Sequence, residues 1–151
     1  MRAPERGSAG KPTRTSAAKG GKRKFAGVAC PMLQARLFDD FKGSTVLLFW
    51  GDNADMAVLL DQVRSLDEDH PIAHIGHGEH TVTIKFSARA GRSHVRSDGG
   101  MSWECAEETL RRIANLIDPL LTSTGHQFVD ADGQVEEVVI SANEYPADFG
   151  R

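Results

Sequence analysis

Thr45-Val-Leu-Leu-Phe-Trp50 is β-branched, apolar and aromatic without a polar interruption. A run of this kind cannot alternate between core and solvent, so it reads as a strand covered on both faces and belongs at the centre of a sheet. Gly51 and Asp52 break it, and Asn53 can cap the next element. Met56, Leu59, Leu60, Val63 and Leu66 then recur at helical spacing, which predicts a helix over about 54–66.

Downstream, Thr81 to Phe86 alternates, with Val82, Ile84 and Phe86 on one face. Ser93 to Ser97 is expected to return beside it as a hairpin. Ser102 reads as the N-cap of a second helix whose stripe is Trp103, Ala106, Leu110, Ile113, Ala114 and Ile117, with acids in its first turn and Pro119 at its end. Gln127–Asp130 and Val135–Ser141 flank Ala131-Asp132-Gly133-Gln134, a hairpin signal. With Leu33–Phe38 as a first strand, the order ββα, ββα, ββ predicts an α+β fold: a largely antiparallel sheet with both helices on one face.

The chain's charge is divided. Residues 1–24 hold eight Lys or Arg against Glu5 alone, whereas 25–151 hold ten basic and twenty acidic residues. The first stretch has no Leu, Ile, Val or aromatic residue, so it cannot bury enough surface to offset its ordering entropy and reads as a disordered basic tail ahead of a single domain, 25–151. Met32 begins a segment that looks like a domain start, which leaves open whether residues 1–31 belong to the native protein. The longest apolar run, Val46–Trp50, falls far short of the ~20 residues that span a bilayer. No stretch has the composition of a secretory signal, so a cytoplasmic protein with no membrane contact is expected. Cys30 and Cys105 form no Cys-x-x-Cys pair and read as free thiols.

Several groupings could carry chemistry. His70, His74, His77 and His80 fall among Asp67, Glu68, Asp69 and Glu79 and offer zinc or nickel ligands, but Pro71 and Gly76–Gly78 imply a loop and the spacing matches no helical His-Glu-x-x-His motif. The solvated-loop reading is preferred and no cofactor is expected. Arg92, His94 and Arg96 alternate, with Arg89 across the turn. They form either a solvated strand face or a grip for phosphate or carboxylate. Lys19, Lys22, Arg23 and Lys24 form the densest basic cluster, so a nucleic-acid-associated protein using the tail is one alternative. Cys105 reads as a small buried hydrophobe rather than a nucleophile assisted by His126. The glycine-rich nucleotide loops and the Gly-x-Ser-x-Gly elbow do not occur.

The segment MSWECAEETLRRIANLI followed by GHQFVDADGQVEEVVISANEYPADF, about residues 99–149, resembles a group of small bacterial proteins and, more distantly, immunity proteins of polymorphic toxin systems. The matching elements are Ser102-Trp103, Gly125 to Asp130, and Ser141 with Glu144-Tyr145. The resemblance implies a non-catalytic inhibitor of one cognate toxin and carries no catalytic residue. An acidic body suits a basic protein partner. Asp130, Asp132, Glu136 and Glu137, at the hairpin tip, are the expected contact residues.

Overall fold

The computed structural model of the chain describes residues 33–89, 91–97 and 99–150. The expectations for residues 1–24, the domain boundary at 25 and Cys30 lie outside them. The elements are β1 (Gln34–Phe41), β2 (Ser44–Gly51), α1 (Asn53–Arg64), β3 (Ile72–Ile75), β4 (Val82–Ser87), β5 (Ser93–Arg96), β6 (Met101–Ala106), α2 (Glu107–Ile117), β7 (Gly125–Gly133) and β8 (Glu137–Ala142). Single 3-10 turns come after β3 at Gly78–His80 and after α2 at Asp118–Leu121.

Among the described residues the strands form one sheet in the order β1-β2-β8-β7-β5-β6-β4-β3. The α+β class holds, but the sheet is not the plain one expected. Four antiparallel pairs (β1/β2, β3/β4, β5/β6, β7/β8) are joined by three parallel ladders, β2/β8, β5/β7 and β4/β6. The sheet also curls toward a barrel, until β1 at one end meets the turn Gly78–His80 near the other.

The chain order ββαββ occurs twice, as β1-β2-α1-β3-β4 and β5-β6-α2-β7-β8. The parallel ladders match: Phe49 lies opposite Ile140 in β2/β8, and Trp103 lies opposite Ile84 in β6/β4. Buried Met56, Leu59, Leu60, Val63 and Leu66 recur as Leu110, Ile113, Ala114, Ile117 and Leu120 at a constant offset of 54 positions, Met56 to Leu110. Phe49 and Trp103, related by the same offset, touch across the core with ring centroids 5.6 Å apart. The repeat would set β1 against β3 as the counterpart of β5/β7, but these two strands are the opposite ends of the sheet's strand order. There the chain leaves β3 at Gly76, with φ +100, and a 3-10 turn takes the place of further strand.

Both helices bury one stripe in a core shared with the inward residues of the strands. Each fully buried Leu or Ile contributes about 1.5–3 kcal/mol. The cap of α1 is Asp52 rather than Asn53. Asp52 Oδ1 accepts from Asp55 N at 2.8 Å and Asp55 Oδ2 accepts from Asp52 N at 2.9 Å, a reciprocal capping box. Asn53 instead donates to Leu120 O and Ser123 O, tying α1 to the turn after α2.

Several local expectations are corrected. Residues 101–106 are strand rather than helix: Trp103 and Cys105 face the core, and the strand runs directly into α2, whose N-cap position, Ala106, has no side-chain cap. The expected hairpin of residues 81–86 with 93–97 does not form, because β6 lies between β4 and β5. The His-rich stretch is not wholly a loop, since it holds β3, with Ala73 and Ile75 buried. β2 is covered on both faces as its composition requires, yet it lies one strand from the sheet's end rather than at its centre. β7 and β8 pair antiparallel as expected, but not about the expected turn: their ladder ends at Asp130 and Glu137, Ala131 to Gly133 pair with β5 instead, and a Cβ at Gly133 (φ +96) would collide with Val95 O.

Candidate functional site on the outer sheet face

Alternation places Val46, Leu48 and Trp50 of β2 and Val139 of β8 on the face away from the helices, where they form a second apolar cluster. The C-terminal segment crosses this cluster. Trp50 Nε1 donates to Pro146 O at 2.8 Å and Arg36 Nη1 donates to Gly150 O at 2.8 Å. Phe149 packs on Phe38, Trp50 and Tyr145 with centroids 5.4, 6.0 and 4.5 Å apart.

The cover stops at Tyr145. Beyond it lies a groove of about 210 Å³ lined by Phe41, Val46, Val139, Tyr145, Phe128 and His126, with Lys42 and Glu137 at its margin. Phe128 is 54% exposed, an unusual position for a large aromatic on an ordered strand. Its ring and that of His126 meet edge to face with centroids 5.0 Å apart, and His126 Nδ1 lies 2.8 Å from Glu144 Oε2. Glu144 and Tyr145 also line an adjoining cavity of about 430 Å³ that contains Asp52 and Asp55. Those two carboxylates are committed to the α1 cap.

The structure brings some expected residues together and separates others. Asp130 and Glu137 are ladder partners, so two carboxylates stand side by side at the groove's end. Asp132 is drawn toward Arg92, with Oδ1 3.5 Å from Nε. Glu136 is exposed in the turn, where its N–H donates to Thr45 O. The four histidines do not converge: His70 sits beside Asp67, His74 Nδ1 lies 3.1 Å from Thr83 Oγ1, and His80 lies beside Glu79. Among the described residues, no group of three or more His, Cys, Asp or Glu side chains is placed to hold a metal. Lys19, Lys22, Arg23 and Lys24 lie outside the described residues.

Cys105 is in a strand and not in a helix's first turn. Burial, and then the charge of Glu104, push its thiol far above the usual range, so it carries no thiolate at neutral pH. Ser141 is the ladder partner of His126, but its hydroxyl is fully buried and has no hydrogen-bond partner among the described residues. Sequence reasoning missed Phe41, and it met Phe128, Glu144 and Tyr145 only as elements of the resemblance, with no binding role. The available signal was Phe128 itself, an aromatic in step with the polar residues His126, Asp130 and Asp132 of β7.

No protein-family model, curated protein or solved structure matches the chain. Among the described residues no helix is long and apolar enough to cross a membrane.

Proposed function

We propose that this chain is a non-catalytic protein-binding domain whose outer face on β2, β8 and β7 docks a basic protein partner, of which a cognate toxin is the specific form suggested by the immunity-type resemblance. The observation that carries the reading is Phe128, more than half exposed beside an aromatic groove and flanked by Asp130, Glu137 and Glu144. Protein interfaces place such an anchor at the centre and charges at the rim. The apolar centre supplies affinity, and the acidic rim steers a positively charged partner and is screened by salt.

The contact residues expected at the hairpin tip are narrowed by this geometry. Asp130 and Glu137 belong to the rim, and Glu136 stands just beyond it. Asp132 is partly neutralised by Arg92 and contributes least.

The test is capture from the native host with the wild-type chain and with Phe128→Asp, then binding kinetics of any recovered protein. A basic protein should be retained by the wild type and lost by Phe128→Asp, with affinity weakened about 30-fold or more, the effect of losing an anchor of ~2 kcal/mol. Glu137→Gln should slow association more than it speeds dissociation. An identical capture profile for the two chains, or turnover of a small molecule by the purified protein, would defeat the proposal.

A further inference from the structure

The half of the sheet formed by β5, β6, β4 and β3 carries a concentration of cations in an otherwise acidic body. Arg89, Arg92, His94 and Arg96 line one cleft of about 220 Å³, with Ser87 and Glu104 beside them. The strand pattern explains the grouping. Ser93 and Val95 of β5 are buried inward, so His94 and Arg96 project outward. The turn that feeds β5 adds Arg89 and Arg92. The place of His94 depends on Gly133: a Cβ there would stand 2.9 Å from His94 Nε2, so only glycine lets the imidazole lie against the end of β7.

Two carboxylates already occupy part of this donor set. Arg96 Nε lies 3.1 Å from Glu104 Oε2 and Arg92 Nε lies 3.5 Å from Asp132 Oδ1. Both contacts run through Nε, and each guanidinium has further N–H donors in its planar fork. Arg89 is paired with no carboxylate among the described residues. Lys85, the ladder partner of Glu104, adds a further cation to the same face of the sheet. The cleft therefore keeps a positive excess with its carboxylates in place.

We propose that this cleft binds the dianion of a phosphate monoester. The lining residues contain no large apolar or aromatic side chain on which a base or an acyl chain could rest, so what is recognised is the anion itself. A monocarboxylate would compete poorly, because Glu104 and Asp132 are carboxylates held in place at high effective concentration. A phosphate differs from them in charge and in number of acceptors. It presents about two charges and three oxygens, enough to engage three guanidinium groups at once. Arg89, Arg92 and Arg96 are the ligands, His94 adds a further ring nitrogen, and Glu104 is the internal competitor that phosphate displaces from Arg96. The site does not depend on the protein-docking face.

The experiment is NMR titration of the full chain with O-phosphoserine, inorganic phosphate, sulfate and acetate at constant ionic strength, read at the backbone amides of Arg92 to Arg96 so that binding elsewhere in this basic-tailed chain is not counted. O-phosphoserine and phosphate should give saturating shifts there, and acetate none. Arg92→Gln and Arg96→Gln should each weaken binding about tenfold, the loss of one charge-assisted contact. Glu104→Gln should tighten it about threefold by freeing Arg96, while Glu136→Gln, the same charge change at a distance, leaves it unaltered. Equal effects of Glu104→Gln and Glu136→Gln, or acetate shifts matching those of phosphate, would overturn the site. Saturation by inorganic phosphate or sulfate without saturation by O-phosphoserine would overturn the monoester assignment.

Discussion

The two halves of the structural repeat share ladders, register and inward-facing side chains, yet their outer faces have opposite chemistry. On β2 and β8 the outward residues Val46, Leu48, Trp50 and Val139 are apolar and lie under Tyr145 and Phe149. At equivalent positions on β6 and β4 the outward residues are Ser102, Glu104, Thr83 and Lys85, and beside them stand His94 and Arg96. The inner pattern repeats because both halves bury it in one core, where volume and polarity are tightly constrained. The outer faces are free of that constraint. One is covered by the end of the chain and leaves an aromatic groove with an acidic rim; the other stays charged. The same backbone thus carries two outer faces of opposite chemistry.

The largest effect is expected at the axis of the repeat. Phe49→Ala and Trp103→Ala should each cost about 3–5 kcal/mol in urea unfolding. Because the rings touch, the double mutant should depart from additivity by more than ~0.5 kcal/mol. Additive losses would mean that the two halves do not share a core at this point.

Next in size is the cover. Phe149→Ala should cost about 1–3 kcal/mol, since it uncovers the second apolar cluster, whereas Lys85→Ala on the uncovered face should stay within ~0.5 kcal/mol. Similar losses at the two sites, read from urea midpoints at constant slope, would erase the distinction between the faces.

The helix starts differ as well. Asp52→Ala should cost about 1 kcal/mol by thermal unfolding, because it removes one arm of the capping box of α1. On α2, which lacks a side-chain cap, Arg111→Ala removes only an exposed pair with Glu107 and should cost no more than ~0.5 kcal/mol. A reversal of that order would show that α2 depends more than α1 does on its surface charges.

Much of the local structure is legible in the residues. The unbroken run of β2 requires two covered faces, and it has them. The apolar spacing of α1 is equally direct. The departures share one cause. Periodicity reports which face of an element is buried and says nothing about which strand lies beside it. Alternation in β4 and β5 suits a hairpin, although β6 comes between them. In β6, Trp103 and Cys105 alternate inward over too short a span to be distinguished from a helix start, since Glu104, Glu107 and Glu108 also suit a helix's first turn.

The candidate site is less legible than the fold. Asp130 and Glu137 stand out in the sequence for their place at a turn, but only the β7/β8 register makes them neighbours. The groove needs Phe41 from β1, Val139 from β8, Phe128 from β7 and Tyr145 from the tail of the domain. No local pattern links residues so far apart in sequence. The fold class, the buried stripes and the break in charge at residue 24 are written in the order of the amino acids, because each depends on local spacing and composition. The strand partners, the curl toward a barrel, the aromatic groove and the arginine cleft arise only in the folded chain, because pairing and register between distant segments are settled by the packing of the whole.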